Sequence, residues 1–203
     1  MSTLDKIVAA IAPPESAEER AEAHATARRA SAPGDWLSLL LDHHEKVEAA
    51  FRVAREAPPA EAKAALKRLG AVLNGHSMAE EAVVYPELAR LGKEAHADMA
   101  YLQQVAAKMQ LAALERLDPA SREYADKLGH LEGAVVHHVY KEESEWFLDL
   151  KENVSAADEQ RILQRYGEEF ERYMRGGEGP AAGAKPDEGR GFEPKSFQPR
   201  PAT

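Results

Sequence analysis

Two turns of the chain pair a histidine with a glutamate four residues later. His76-Ser77-Met78-Ala79-Glu80-Glu81, followed by Tyr85, recurs 62 residues on as His138-Val139-Tyr140-Lys141-Glu142-Glu143, followed by Phe147. Helical residues four apart lie one turn from each other on one face, so each histidine points the same way as its first glutamate. Leu73 and Val83 around one copy, and Leu131 and Val135 around the other, put both pairs on a buried stripe. Ionisable groups left uncompensated in an apolar interior cost several kcal/mol each, and a metal ion is the simplest compensation. One more histidine precedes each copy, His44 and His96. The set His44, His76, Glu80, His96, His138 and Glu142 offers four imidazoles and two carboxylates, donors suited to iron, manganese or zinc. Carboxylates on opposite helices can also bridge a metal pair.

Any one of these histidines alone reads as a solvated or hydrogen-bonded residue; the repeat, the stripe and the pairing together read as a metal site. His137 shares a face with Lys141, and His43 lies off the stripe of Leu40, His44 and Val47, so both are expected beside the ligands or at the surface. His130 is a further near neighbour, and His24, in a polar stretch, is given no chemistry. Glu81 and Glu143, adjacent to ligands, are expected to hydrogen-bond to them. Tyr85 and Tyr140 read as packing residues, with a redox or hydrogen-bonding role as the alternative.

Positioning these groups requires four long helices. The first is predicted from an N-cap at Asp35 through Leu40, His44, Val47 and Phe51 to Pro58-Pro59. The second runs from about Ala60 through Leu66, Leu69, Leu73, His76 and Glu80, bending or stopping near Tyr85-Pro86. The third covers 93–117, with His96, Met99 and Met109 inward; the fourth starts at Asp118 and Pro119 and carries Leu128, Leu131, Val135, His138 and Glu142. A fifth helix, capped by Ser155, turns Ile162, Tyr166, Phe170 and Tyr173 or Met174 toward the protein. Residues 1–34 read as a polar helical extension with a capping box at Ser16 and Glu19, and 35–175 as the bundle with its C-terminal helix. Residues 176–203, holding six glycines and five prolines, read as a disordered tail.

Composition narrows the function. Lys+Arg 26 against Asp+Glu 35 gives a formal charge of −9 without a basic stripe, which argues against nucleic acid as a partner. The absence of cysteine excludes disulfides, thiolate nucleophiles, iron–sulfur clusters and Cys-type zinc sites, so a metal must use nitrogen and oxygen. The apolar run Ile7 to Ile11 is too short for a spanning helix or signal peptide, and a cytoplasmic protein without membrane contact is expected.

Asp42-His43-His44-Glu45, His76 to Glu81 with Tyr85-Pro86, His96, and His137-His138 to Glu143 together resemble the hemerythrin-like, HHE cation-binding family over about residues 35–150. The resemblance implies an up-and-down four-helix bundle with two iron ions held by His44, His76, Glu80, His96, His138 and Glu142. It also implies binding of dioxygen, nitric oxide or hydrogen peroxide, or iron sensing. Oxygen-carrying members place a second histidine one turn after the third-helix one, where this chain has Ala100, which leaves coordination more open. Ferritin-like di-iron proteins match less well, because their helices read Glu-x-x-His. A binding or sensing module is the first expectation, a di-iron enzyme with peroxidase, catalase or repair chemistry the alternative, and a zinc-bound or metal-poor interaction protein the third.

Overall fold

The computed structural model describes residues 15–176; the run Ile7 to Ile11 and the tail beyond Gly176 lie outside the described residues. Among the described residues there are only helices, in the order α1 (Ala17–Ala30), α2 (Trp36–Glu56), α3 (Pro59–Ala79), α4 (Tyr85–Arg90), α5 (Glu94–Leu114), α6 (Arg122–Lys141), α7 (Phe147–Asn153) and α8 (Ala156–Gly176). A five-residue π-helical segment, Glu80–Val84, joins α3 to α4 without a break, and a second, Glu142–Trp146, joins α6 to α7. The bundle consists of α2, α3–α4, α5 and α6–α7, with α8 laid along α3 and α2.

Local sequence sets these boundaries. Asp35 caps α2 by accepting from the Ser38 amide at 2.7 Å, and Ser16 caps α1 in a box with Glu19. Gly92, at φ 77°, makes the left-handed turn into α5, a conformation a Cβ would strain. The fourth bundle helix begins later than the sequence suggests: Ser121, not Asp118, is its N-cap, its hydroxyl accepting from the Tyr124 amide. Asp118 instead closes the preceding turn, its carboxylate accepting from the Ala120 amide at 3.0 Å. The inward face of α5 also differs from the expectation. It presents Ala97, Ala100, Gln104, Ala107, Leu111 and Leu114, a stripe at helical spacing, which leaves Met99 (51% exposed) and Met109 (70%) on the outer side.

Two apolar clusters fill the interior. One gathers Trp36, Leu40, Leu41, Val84, Leu88, Phe147 and Tyr166; the other Phe51, Leu69, Leu73, Leu111, Leu128 and Leu131. Between them lies a polar layer of fully buried residues: His44, His76, Ser77, Glu80, Gln104, His138, Glu142 and Glu143. α8 docks closely at Gly75, where an added Cβ would meet Met174 Sδ at 3.3 Å and Phe170 at 3.4 Å.

Candidate metal centre

The π segments orient the polar layer. Five residues along an α-helix turn a side chain about 140° off its starting direction, whereas a π turn closes over five. In both copies the residue five beyond the glutamate, Tyr85 or Phe147, donates its amide to that glutamate's carbonyl. Tyr85 is thereby brought under Glu80, and its hydroxyl stands 3.0 Å from Glu80 Oε2 and 3.0 Å from Glu142 Oε1. Pro86 has no N–H for the next π bond, to the Glu81 carbonyl; the Tyr101 hydroxyl donates to that oxygen instead, at 2.8 Å.

His44, His76, Glu80 and Glu142 each direct one donor atom to a common point, all four within 4.8 Å of one another. His76 Nε2 is 3.3 Å from Glu80 Oε1, and His44 Nε2 is 3.4 Å from Glu142 Oε2 and 3.7 Å from Glu80 Oε1. Those same four atoms, His44 Nε2, His76 Nε2, Glu80 Oε1 and Glu142 Oε2, are buried without a hydrogen-bond partner. Each unsatisfied buried polar group costs about 1–3 kcal/mol, so four at one point fit a cation bound among them. The far side of each group is anchored. His44 Nδ1 donates to Glu143 Oε1 at 2.7 Å, and since a carboxylate only accepts, the Nε2 lone pair is left facing inward. His76 Nδ1 reaches the Tyr166 hydroxyl at 3.0 Å, and that hydroxyl lies 3.0 Å from His43 Nδ1.

Without a cation the layer divides its protons unevenly. Burial and the Glu142 charge push the Glu80 carboxyl up to about 7. Burial acts on Glu142 likewise, but His138 and His44 outweigh it and hold Glu142 well below the usual carboxylate range. Burial disfavours charge on His44 too, yet Glu142, Glu143 and Glu80 raise its proton affinity. His76 is lowered by burial and by His44.

Four of the six predicted ligands are brought together. His138 lies alongside: its Nδ1 bonds Gln103 Oε1 at 2.8 Å, and its Nε2, 3.3 Å from Glu142 Oε1, meets the Tyr85 hydroxyl and Gln104 Nε2, each at 3.1 Å. His96 is not brought to the group. It stacks on Trp146, 29% exposed, with Nε2 3.7 Å from Glu145. On α5 the level of the site is Gln104, eight residues or roughly 12 Å farther along the helix. Gln104 was legible in principle as the one polar residue on a stripe of alanines and leucines. His43, expected beside the ligands or at the surface, is buried against Tyr166, and burial with the Lys46 and His44 charges pushes its imidazole down to about 4. His24 has a role that its polar surroundings did not suggest: its Nδ1 bonds Glu143 Oε1 at 3.0 Å, tying α1 to the layer. Glu81 pairs with Lys108 at 2.6 Å rather than with a ligand, and His137 pairs with Glu15 at 2.8 Å.

A cleft of about 590 Å³ between α1, α2 and α6 reaches this layer at His44 and Glu143, with Val47, Phe51, Val135 and Val139 among its apolar lining. Among the described residues no helix is long and apolar enough to cross a membrane.

The sequence profile of the hemerythrin HHE cation-binding domain matches residues 36–150, more than half the chain. A DNA nickase of Nostoc sp. (strain PCC 7120) is 31% identical over 84 residues, which are 41% of this chain and 24% of that protein. This chain therefore spans about a quarter of the length of that relative. No solved structure matches. The domain family and the buried His/Glu group together suggest metal binding.

Proposed function

This chain belongs to the hemerythrin HHE cation-binding family, and on that premise we propose that it binds iron through His44, His76, Glu80 and Glu142 and takes a small ligand there, dioxygen, nitric oxide or peroxide. The observation that carries the reading is the convergence of four orphaned buried donors on one point. Two imidazoles and two carboxylates without sulfur suit iron, with manganese or zinc as lesser fits. Bound iron would supply an open coordination position for the small ligand. The chain's own residues do the rest. Glu143 and Tyr166 fix the two imidazoles, Tyr85 and Gln104 hold the outer carboxylate oxygens, and the cleft that reaches His44 and Glu143 lines its approach with Val47, Phe51, Val135 and Val139 beside the charged Glu48, Arg55 and Glu132.

Protein purified without chelator is expected to retain iron and to show near-ultraviolet absorption that changes with azide or nitric oxide. Metal-free protein, or a spectrum indifferent to both, would contradict the reading. Peroxide turnover is a second reading, favoured by the Tyr85 hydroxyl, a proton donor 3.0 Å from both carboxylates. On that reading Tyr85→Phe slows peroxide consumption per bound iron; an unaltered rate would remove it.

A further inference from the structure

We propose that the chain holds one metal ion where its duplicated motif offers room for two, an inference that rests on the metal-binding reading above. The two copies match in sequence and in backbone, π segment included, and Glu142 Oε2 is unpartnered like Glu80 Oε1, but their histidines are placed differently. In the first half His44 Nε2, His76 Nε2 and Glu80 Oε1 are all unpartnered. In the second half the equivalent positions are His96, His138 and Glu142. His96 is outside the layer, stacked on Trp146. His138 Nε2 lies 3.1 Å from both the Tyr85 hydroxyl and the Gln104 NH₂ group.

The asymmetry is written into the side chains. Tyr85 and Phe147 occupy matching places after the two glutamates, but only Tyr85 carries a hydroxyl, and it projects into the second half, touching Glu80 Oε2, Glu142 Oε1 and His138 Nε2. Phe147 stacks on the His44 ring, 5.9 Å between centroids, and brings no polar atom into the first half. Gln104 is oriented by Ser77, whose hydroxyl donates to Gln104 Oε1, so its NH₂ group faces inward and donates to Glu80 Oε2 at 2.9 Å. An amide NH₂ has no lone pair to give a cation, and two donors aimed at one imidazole nitrogen occupy the place a second ion would need. Tyr85 and Gln104 thus stand where a second ion would sit, their polar hydrogens turned toward the outer carboxylate oxygens and His138.

The test is the stoichiometry of the full chain, titrated with iron(II) after chelation, desalted and analysed for metal per chain, with electron paramagnetic resonance of the oxidised form. One equivalent with the signal of an isolated high-spin ferric ion is expected. The double variant Tyr85→Phe, Gln104→Glu, which removes both donors and adds a carboxylate, is expected to take a second equivalent. Two equivalents in the wild-type chain, silent through coupling of the pair, overturn the inference and leave the proposed function standing. No bound iron at all overturns both. A folded double variant that stays at one equivalent overturns the assignment of Tyr85 and Gln104 as what excludes the second ion.

Discussion

Each converging donor is held from behind: His44 by Glu143, His76 by Tyr166, Glu80 by Tyr85 and Gln104, Glu142 by Tyr85. Outer partners of this kind are worth about 10- to 100-fold in metal affinity. In competition titrations against a chelator, Tyr166→Phe and Glu143→Gln are therefore expected to weaken iron binding by that factor, whereas His76→Ala or Glu142→Ala abolishes it. Affinity unchanged in Tyr166→Phe would show that the His76 anchor is idle. His43 supports a prediction in pH. Its folded value of about 4 lies below the 6.5 of the unfolded chain, so the unfolded state binds more protons between those limits. The stability this provides is complete above pH 6.5 and is lost as pH falls toward 4. Urea denaturation of chelated protein at pH 7 and pH 5 is expected to show a smaller loss in His43→Gln than in wild type; equal losses would contradict it. At this scale the convergence of His76, Glu80 and Glu142 was legible, because His-x3-Glu on a buried stripe needs only helical geometry, and His44 followed from the stripe of its own helix. The reach of Tyr85 was not legible, since it depends on a π turn; Gln104 stands out as the polar residue of an apolar stripe, but the level at which α5 passes the site does not show in the spacing.

The helices themselves were legible wherever a cap or proline marks them, as at Asp35, Ser16 and Pro59, and less so at Asp118-Pro119, where an equally good cap, Ser121, lies three residues on. No residue type announces the π segments, which appear only when each glutamate must face the layer while the chain continues as one helix. The first depends on Tyr101, whose hydroxyl takes the carbonyl that Pro86 cannot serve. Tyr101→Phe is expected to destabilise the chain by about 1–3 kcal/mol in urea unfolding, the cost of an orphaned backbone acceptor. A change below a few tenths would mean that solvent replaces the hydroxyl there. His96 shows the limit of spacing arguments: the 42 residues from His96 to His138 exceed the 32 from His44 to His76 by ten, and it is Gln104, not His96, that faces the layer from α5.

At the scale of the whole molecule, a layer of buried ionisable groups separates two apolar clusters that would pack better without it. Such a layer weakens a metal-free bundle, and a ligand bound only by the folded state restores the loss by mass action, about 2.7 kcal/mol when free metal is a hundredfold above its dissociation constant. For a chain of this size each kcal/mol moves the unfolding midpoint by roughly 2–4 °C. The most direct measurement is therefore thermal unfolding of the full chain, thoroughly chelated and then reloaded with iron(II) under anaerobic conditions. A midpoint raised by roughly 5–10 °C on reloading is expected, with no rise in His76→Ala. An identical midpoint with and without iron in the wild-type chain would contradict a cation bound among His44, His76, Glu80 and Glu142.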